Sequence, residues 1–229
     1  MRPTPLSDRR RRVERACDVA RGSFGVRALT RFLYLVRHGE HQDAEYGLAD
    51  GPLSARGVRQ ASLLADRLSG VPFDSVVHSP LARAAETARI LKERMPAVEL
   101  QPSSLLFDCV PSGMTADAPS AYASFFTSFT EFEIDAGRAQ MGDAVSEYLS
   151  GANLEKHRLL VTHNFVIGWF VREVLQAPDW RWMTLNQAHC GLTVLARKQG
   201  RPWTVLSFND VAHLPFELRT GMPDDFVLV

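Results

Sequence analysis

The strongest constraint in the chain is a short apolar run, Phe32-Leu33-Tyr34-Leu35-Val36, that stops abruptly at Arg37-His38-Gly39-Glu40. Five strand-forming residues without polar alternation describe a strand buried on both faces. A strand covered on both sides demands a layer of helices above and below it, and the pattern that follows supplies them. Ser54 opens a segment in which Ala61, Leu64, Ala65 and Leu68 fall on one helical face, and Gly70 closes it. Ser75-Val76-Val77-His78 reads as a second strand. Ser79-Pro80 then supplies an N-cap and an N1 proline for a helix running to about Arg94, and Pro96 ends that unit. Leu159-Leu160-Val161-Thr162 is a third buried strand, stopped by His163-Asn164 and followed by a helix over 165–175. Leu192–Ala196 and Thr204–Phe208, with Gly200 between them, read as a hairpin. The expected fold is therefore an α/β three-layer sandwich with a mostly parallel central sheet and helices on both faces.

Composition fits that expectation and removes several function classes. Hydrophobic residues make up 45% of the 229 residues and charged residues 23%, the balance of a folded globular chain. Lys and Arg together number 26, as do Asp and Glu, and zero net charge argues against nucleic-acid binding by bulk electrostatics. No apolar run approaches the roughly 18 residues of a membrane-spanning helix. Cys17, Cys109 and Cys190 are an odd set without C-x-x-C spacing, so neither a disulfide framework nor a zinc knuckle is expected. A reducing, cytoplasmic location is the default reading. The charge is unevenly placed: residues 1–31 hold nine arginines against Asp8, Glu14 and Asp18. This basic N-terminal extension is read as a solvated segment ahead of a domain over 32–229, with organelle targeting as the lesser reading. Residues 103–142, with Pro111, Pro119 and Phe125, Phe126, Phe129 and Phe132, are irregular. They could cap a site, and packing is the expected role of most of these phenylalanines.

Ligands of α/β sheets bind beyond the carboxyl ends of the strands. Arg37-His38, His78-Ser79 and His163-Asn164 all fall at such ends, and Arg83 lies on the first turn of the next helix. One histidine at a strand end is weak evidence. Two arginines and two histidines on one rim describe a receptor for a doubly charged oxyanion, because guanidinium forks match phosphate oxygens in pairs and helix N-termini add backbone donors. An imidazole can accept a phosphoryl group on one nitrogen while the other keeps its proton on a fixed acceptor. Such a transfer needs mainly positioning and charge neutralisation.

These residues sit in a recognisable series. Leu35-Val36-Arg37-His38-Gly39-Glu40 resembles the L-x-R-H-G-E opening of the histidine phosphatase superfamily, the phosphoglycerate mutase-like fold. Leu53-Ser54-Ala55-Arg56-Gly57-Val58-Arg59-Gln60-Ala61 is similar to its L-[ST]-x-x-G-x-x-Q-A block. Ser79 to Ala88 is similar to its S-x-x-x-R-A-x-x-T-A helix, Val161-Thr162-His163 to its V-[ST]-H, and Asn209 to Leu214 to its closing N-x-x-x-H-L. The resemblance covers roughly residues 32–215 in order. It implies that His38 is the nucleophile, and that Arg37, Arg83 and His163 hold the phosphoryl group, His163 also counting as catalytic. It implies that an acid after a leucine pair is the proton donor, which here is Asp108 in Leu105-Leu106-Phe107-Asp108; Glu40 is the alternative acid and the better structural partner. Neither a metal nor a cofactor is implied.

The implied activity is hydrolysis of a phosphate monoester, on a small phosphorylated substrate or a phosphopeptide. Phosphoglycerate mutase is the rival enzyme and a non-catalytic scaffold the rival from another class. His41-Gln42 and Phe107-Asp108-Cys109-Val110 stand where mutases carry their substrate pocket. The spacing Leu105 to Pro111 and the Val166-Ile167 helix are closer to the branch that contains the mitochondrial serine/threonine phosphatase, although that branch has glutamate at the acid position. His38 and His41 do not read as a metal pair, for want of a third ligand at metal-site spacing. His189 and His213 could line or brace the pocket, with structural roles favoured. Association into a homodimer through a sheet edge is left open.

Overall fold

The computed structural model describes residues 30–42, 50–150 and 155–223. The basic extension therefore lies outside the described residues apart from Thr30 and Arg31, which belong to the first strand. Six strands form one mixed sheet in the order β3-β2-β4-β1-β5-β6: β1 (Thr30–Arg37), β2 (Ser75–His78), β3 (Leu100–Pro102), β4 (His157–Thr162), β5 (Leu192–Lys198) and β6 (Thr204–Asp210). β3, β2, β4 and β1 run parallel, while β5 and β6 add the antiparallel hairpin expected around Gly200.

The apolar run takes the central place its composition requires. Leu33 and Leu35 point to one face, against Val166, Ile167 and Phe170 of α4 (Asn164–Leu175) and Met141 of α3 (Glu131–Val145). Val36 points to the other, against Leu64 and Leu68 of α1 (Ala55–Leu68) and Ala88 and Leu91 of α2 (Ala82–Glu93). Burying such side chains contributes about 1.5–3 kcal/mol each, and a covered sheet of this width fixes the rim on which the strands end.

Several local expectations shift. Ser54 caps α1 as its sequence suggests, accepting from the Gly57 N–H at 3.0 Å. α2 begins at Ala82 rather than at Pro80, with Leu81 in the cap position and no side-chain cap. Its first turn is served instead by Asp50, whose Oδ2 accepts from the Ala82 N–H at 3.0 Å. The edge strand β3 has only three residues, Leu-Gln-Pro, too short to show alternation.

Residues 103–142 are more ordered than their composition suggests. Ala123–Phe126 is a single helical turn, and α3 opens on a reciprocal capping box between Thr130 and Glu133. α3 left little apolar period in the sequence because it buries Gly137, Met141 and Ala144, two of them small. The phenylalanines divide: Phe125, Phe126 and Phe129 pack around Phe165 and Trp182, while Phe132 is 81% exposed.

Gly137 is where α3 meets the loop that follows β3. A Cβ built there would lie 2.1 Å from the Val110 carbonyl oxygen, so only glycine allows the helix to seat against that backbone. Gln140, one turn on, donates its amide to the Phe107 carbonyl at 2.8 Å and the Leu105 carbonyl at 3.3 Å. Gly142, on the same helix, has nothing within 4 Å. We expect Gly137→Ala to cost about 1–3 kcal/mol through overpacking. Gly142→Ala should instead stabilise by about 0.5–1 kcal/mol through helix propensity. Thermal unfolding measures both, at roughly 2–4 °C per kcal/mol for a chain of this size; equal midpoints for the two variants would contradict the packing described.

Candidate active site

Because β3, β2, β4 and β1 are parallel neighbours, their carboxyl ends share one rim. His38 follows β1, Ser79 follows β2, His163 follows β4, and Asp108 lies on the loop after β3. The turn at Gly39-Glu40 is held by two side chains from the similar blocks that perform no chemistry themselves. Thr87 Oγ1 accepts from the Gly39 N–H at 3.0 Å, and Gln60 Oε1 from the Glu40 N–H at 2.9 Å. α1 approaches so closely that a Cβ on Gly57 would stand 1.9 Å from the Glu40 carbonyl oxygen.

The His38 ring is fixed by its own turn. Its Nδ1 lies 2.8 Å from the Gly39 carbonyl oxygen, which can only accept, so Nδ1 carries the proton and Nε2 presents its lone pair. Arg83 Nε donates to that Nε2 at 3.1 Å. Burial holds the His38 pKa well below the histidine norm, with His163, Arg37, His189 and Arg83 pushing the same way. The ring is neutral at neutral pH, the state a nucleophile needs.

Arg83 is the hub. Besides His38, its Nη2 approaches Asp108 Oδ2 at 3.2 Å and His163 Nδ1 at 3.3 Å, and its Nη1 pairs with Asp50 Oδ1 at 3.2 Å. Arg37 donates from Nη1 to the Gln187 and Gly221 carbonyls, both at 2.6 Å, while its buried Nε has no hydrogen-bond partner. Burial lowers the Arg37 pKa to about 10, partly offset by Asp108, so it remains a cation at neutral pH. His163 lies 5.1 Å from His38 between ring centroids and places Nε2 2.8 Å from Ser79 Oγ. Burial, then Arg83 and Arg37, lower its pKa as well.

Asp108 lies in the cleft with 40% of its side chain still reached by solvent. Loss of surrounding water raises its pKa, and this outweighs the opposing pull of Arg83 and Arg37. Of the two acids the sequence weighs, it is the one whose pKa is raised. Glu40 has the opposite fate. Burial pushes its pKa up, but hydrogen bonds from Ser54, Arg56 and Thr220 prevail and lower it, and its oxygens are taken by Ser54 Oγ at 2.8 Å and Arg56 Nη1 at 3.0 Å. Its structural role is the one the sequence favoured.

The rim also holds His189, for which the sequence leaves lining or bracing the pocket open, and Asp50, which the sequence does not single out. Val36 pairs with Leu192 across the antiparallel β1–β5 ladder, so the segment just before β5 arrives at the same rim. It brings His189 to 5.6 Å from His38. His41, His38 and His189 place ring nitrogens within 4.8 Å of one another, so the sequence view that no third histidine joins the pair is corrected. Arg37 and Arg83 add two positive charges beside this cluster, which favours an anion over a dication. Asp50 is the rim residue the sequence misses, and Ser79, expected at a strand end and as the cap of α2, sets its hydroxyl against His163 instead. His213 lies beside Arg67 Nη1 at 3.1 Å, next to the Arg67–Asp210 ion pair between α1 and β6. It braces the hairpin against α1.

The fold and residues 33–211 match known proteins. The family model for the histidine phosphatase superfamily (branch 1) covers residues 33–211. A putative alpha-ribazole-5'-P phosphatase from Escherichia coli superposes with a TM-score of 0.66 at 25% identity, covering 79% of this chain and 96% of that one. A phosphoglycerate mutase from Bacillus anthracis shares the fold with a TM-score of 0.61 at 18% identity, over 82% of this chain and 96% of that one. In sequence, the mitochondrial serine/threonine-protein phosphatase Pgam5 of Caenorhabditis elegans is 28% identical over 191 residues, 81% of this chain and 65% of that protein. The mouse protein of the same name is 25% identical over 192 residues, again 81% of this chain and 65% of the relative. The chain thus spans slightly under two thirds of these curated relatives. Their mitochondrial designation overturns the cytoplasmic location expected from cysteine usage. With a family match over most of its length and the motif residues gathered on one rim, this chain belongs to the histidine phosphatase superfamily, branch 1.

Proposed function

We propose that this chain is a phosphomonoester hydrolase acting through a phosphohistidine on His38. The observation that carries the reading is the locked imidazole: Nδ1 is committed to the Gly39 carbonyl, and Nε2 faces Arg83 in a pocket that also holds Arg37 and Asp108. A phosphate dianion fits there because Arg37 Nε is buried and uncommitted, and because Arg83 can exchange its carboxylate partner for phosphoryl oxygens. His38 Nε2 forms the N–P bond as the P–O bond to the leaving group breaks, and Asp108 gives its proton to that oxygen. In the second step the Asp108 carboxylate takes a proton from water, which displaces His38 and releases inorganic phosphate. Arg37, Arg83 and His163 stabilise the transferring group. His163 Nδ1 faces Arg83 as an acceptor, and a dianion nearby favours its protonated, donating form.

The phosphatase names of the relatives support hydrolysis over the isomerase reading. The complete set His38, Arg37, Arg83 and His163 stands against a scaffold without chemistry. We also assign catalysis to the domain that begins with β1 at Thr30, two residues before the boundary the sequence suggests, with the basic segment before it as an adaptor. Deleting residues 1–29 should leave turnover of small phosphates unchanged in a steady-state assay.

His38→Ala should abolish hydrolysis of p-nitrophenyl phosphate, and acid-labile label from a radioactive substrate should appear on the wild-type protein alone. Turnover retained by His38→Ala would exclude the mechanism. Asp108→Asn should reduce kcat on an alkyl phosphate by about 10²–10⁴, and on p-nitrophenyl phosphate far less, because that leaving group needs no proton. The pH dependence has a definite sign. His38 stays neutral across the neutral range, since its pKa is depressed. Asp108 must be protonated, so kcat/KM on the alkyl ester should fall as pH rises through its raised pKa. That alkaline limb should disappear in Asp108→Asn, as a pH–rate profile would record.

A further inference from the structure

The polar pocket around Arg37 and His38, about 370 Å³, meets a larger cleft of about 610 Å³, and Asp108 and Phe165 line both. The larger cleft is of ligand-site size. Its walls are Phe107, Phe129, Phe132 and Phe165, with Leu81 and Val110 beside them. Its charged members are Arg83 and Asp108, which belong to the phosphoryl site, and Glu133. Hydrogen bonds from the Thr130 N–H and hydroxyl lower the Glu133 pKa and keep it anionic. Gln140 also lines the cleft, with its amide donors already given to Leu105 and Phe107.

Direction comes from the chemistry. In-line attack by His38 Nε2 places the leaving oxygen opposite the imidazole, and Asp108 must reach that oxygen to protonate it. The group attached to it then extends past Asp108, into the apolar cleft. Phe132 stands 81% exposed at the first turn of α3, on the same side as Ala136. Its ring lines the cleft together with Phe107, Phe129 and Phe165, so the apolar wall is a contiguous patch rather than a lone exposed side chain.

We propose, resting on the phosphatase reading above, that the preferred substrates are phosphomonoesters of bulky, uncharged, apolar alcohols or phenols, with the leaving group packed between Phe132, Phe129 and Phe165. The cleft offers no cation beyond Arg83 among its described lining residues, and Glu133 repels a second anionic group. Phosphorylated carboxylic acids such as 3-phosphoglycerate are therefore poor substrates.

The test compares 2-(1-naphthyl)ethyl phosphate, ethyl phosphate and 3-phosphoglycerate on the full-length chain. The first two release alcohols of similar acidity, so a difference between them reports binding of the apolar group rather than leaving-group chemistry. We expect kcat/KM for the naphthyl ester to exceed that for ethyl phosphate by about 10²–10³, with 3-phosphoglycerate lowest. Phe132→Ala and Ala136→Gln, both at exposed helix positions outside the catalytic set, should each reduce that ratio about ten-fold or more while leaving ethyl phosphate within about three-fold. Equal kcat/KM for the two esters in an active enzyme, or a preference for 3-phosphoglycerate, would overturn the proposal alone. Failure to hydrolyse any phosphate ester would overturn the phosphatase reading and this proposal with it. A cleft occupied by a second copy would show as a dimer that Phe132→Ala dissociates, with no preference for the apolar ester, and that outcome also overturns it.

Discussion

Everything on the rim is organised around one buried guanidinium. Arg83 is 5% exposed, and withdrawing such a charge from water costs on the order of several kcal/mol unless partners replace the solvent. The fold supplies them from four directions: His38 after β1, Asp50 ahead of α1, Asp108 after β3 and His163 after β4. Removing any one leaves a buried donor short of a partner, so the four segments are tied together energetically as well as by sequence order. Asp50 does two things in this arrangement. One oxygen pairs with Arg83, and the other takes the N–H that α2 would have offered to a side-chain cap.

That hub explains how an aspartate can stand where a longer acid is usual in the similar branch. The side chain is one methylene short, yet Asp108 reaches Arg83 at 3.2 Å and lies 3.8 Å from His163 Nδ1. The loop carrying it is drawn inward at three points: Gly137 seats α3 on the Val110 backbone, Gln140 holds the Leu105 and Phe107 carbonyls, and Thr162 Oγ1 donates to the Leu106 carbonyl at 2.9 Å. None of the three touches the reacting atoms. Together they set where the Asp108 carboxyl stands, and they place the same loop as one wall of the apolar cleft.

The parts of this site that adjoin buried strands were readable from the chain. Arg37, His38 and His163 each follow an apolar run that has no reason to stop except at a sheet end, and Arg83 follows the next such end by one turn. Asp108 was accessible only through the family pattern, because a three-residue edge strand with glutamine and proline leaves no periodic trace. For His189 the sequence offers lining or bracing the pocket and cannot choose between them. Its place beside His38 depends on the β1–β5 antiparallel register, and register is a property of two segments more than 150 residues apart. Ser79 was read as a helix cap on sound local grounds, and a tertiary demand displaced that role: the hydroxyl went to His163, and Asp50 covered the helix end. α3 escaped notice because close backbone packing selects small residues, which erase the hydrophobic period that reveals a helix.

The protonation states follow from the same burial. His38, His163 and His189 are all held below the ordinary histidine pKa by loss of water and by the two arginines. The site therefore keeps its positive charge on the guanidiniums and keeps these imidazoles neutral. Had the histidines carried the charge, His38 Nε2 would have no lone pair to offer. A dianion entering this field meets two fixed cations and one unprotonated Nε2, and it displaces a carboxylate from Arg83 as it does so. Freed from that partner and placed beside a phosphoryl group, Asp108 is driven further toward its protonated form. Anion binding and protonation of Asp108 are then coupled, because both draw on the same guanidinium.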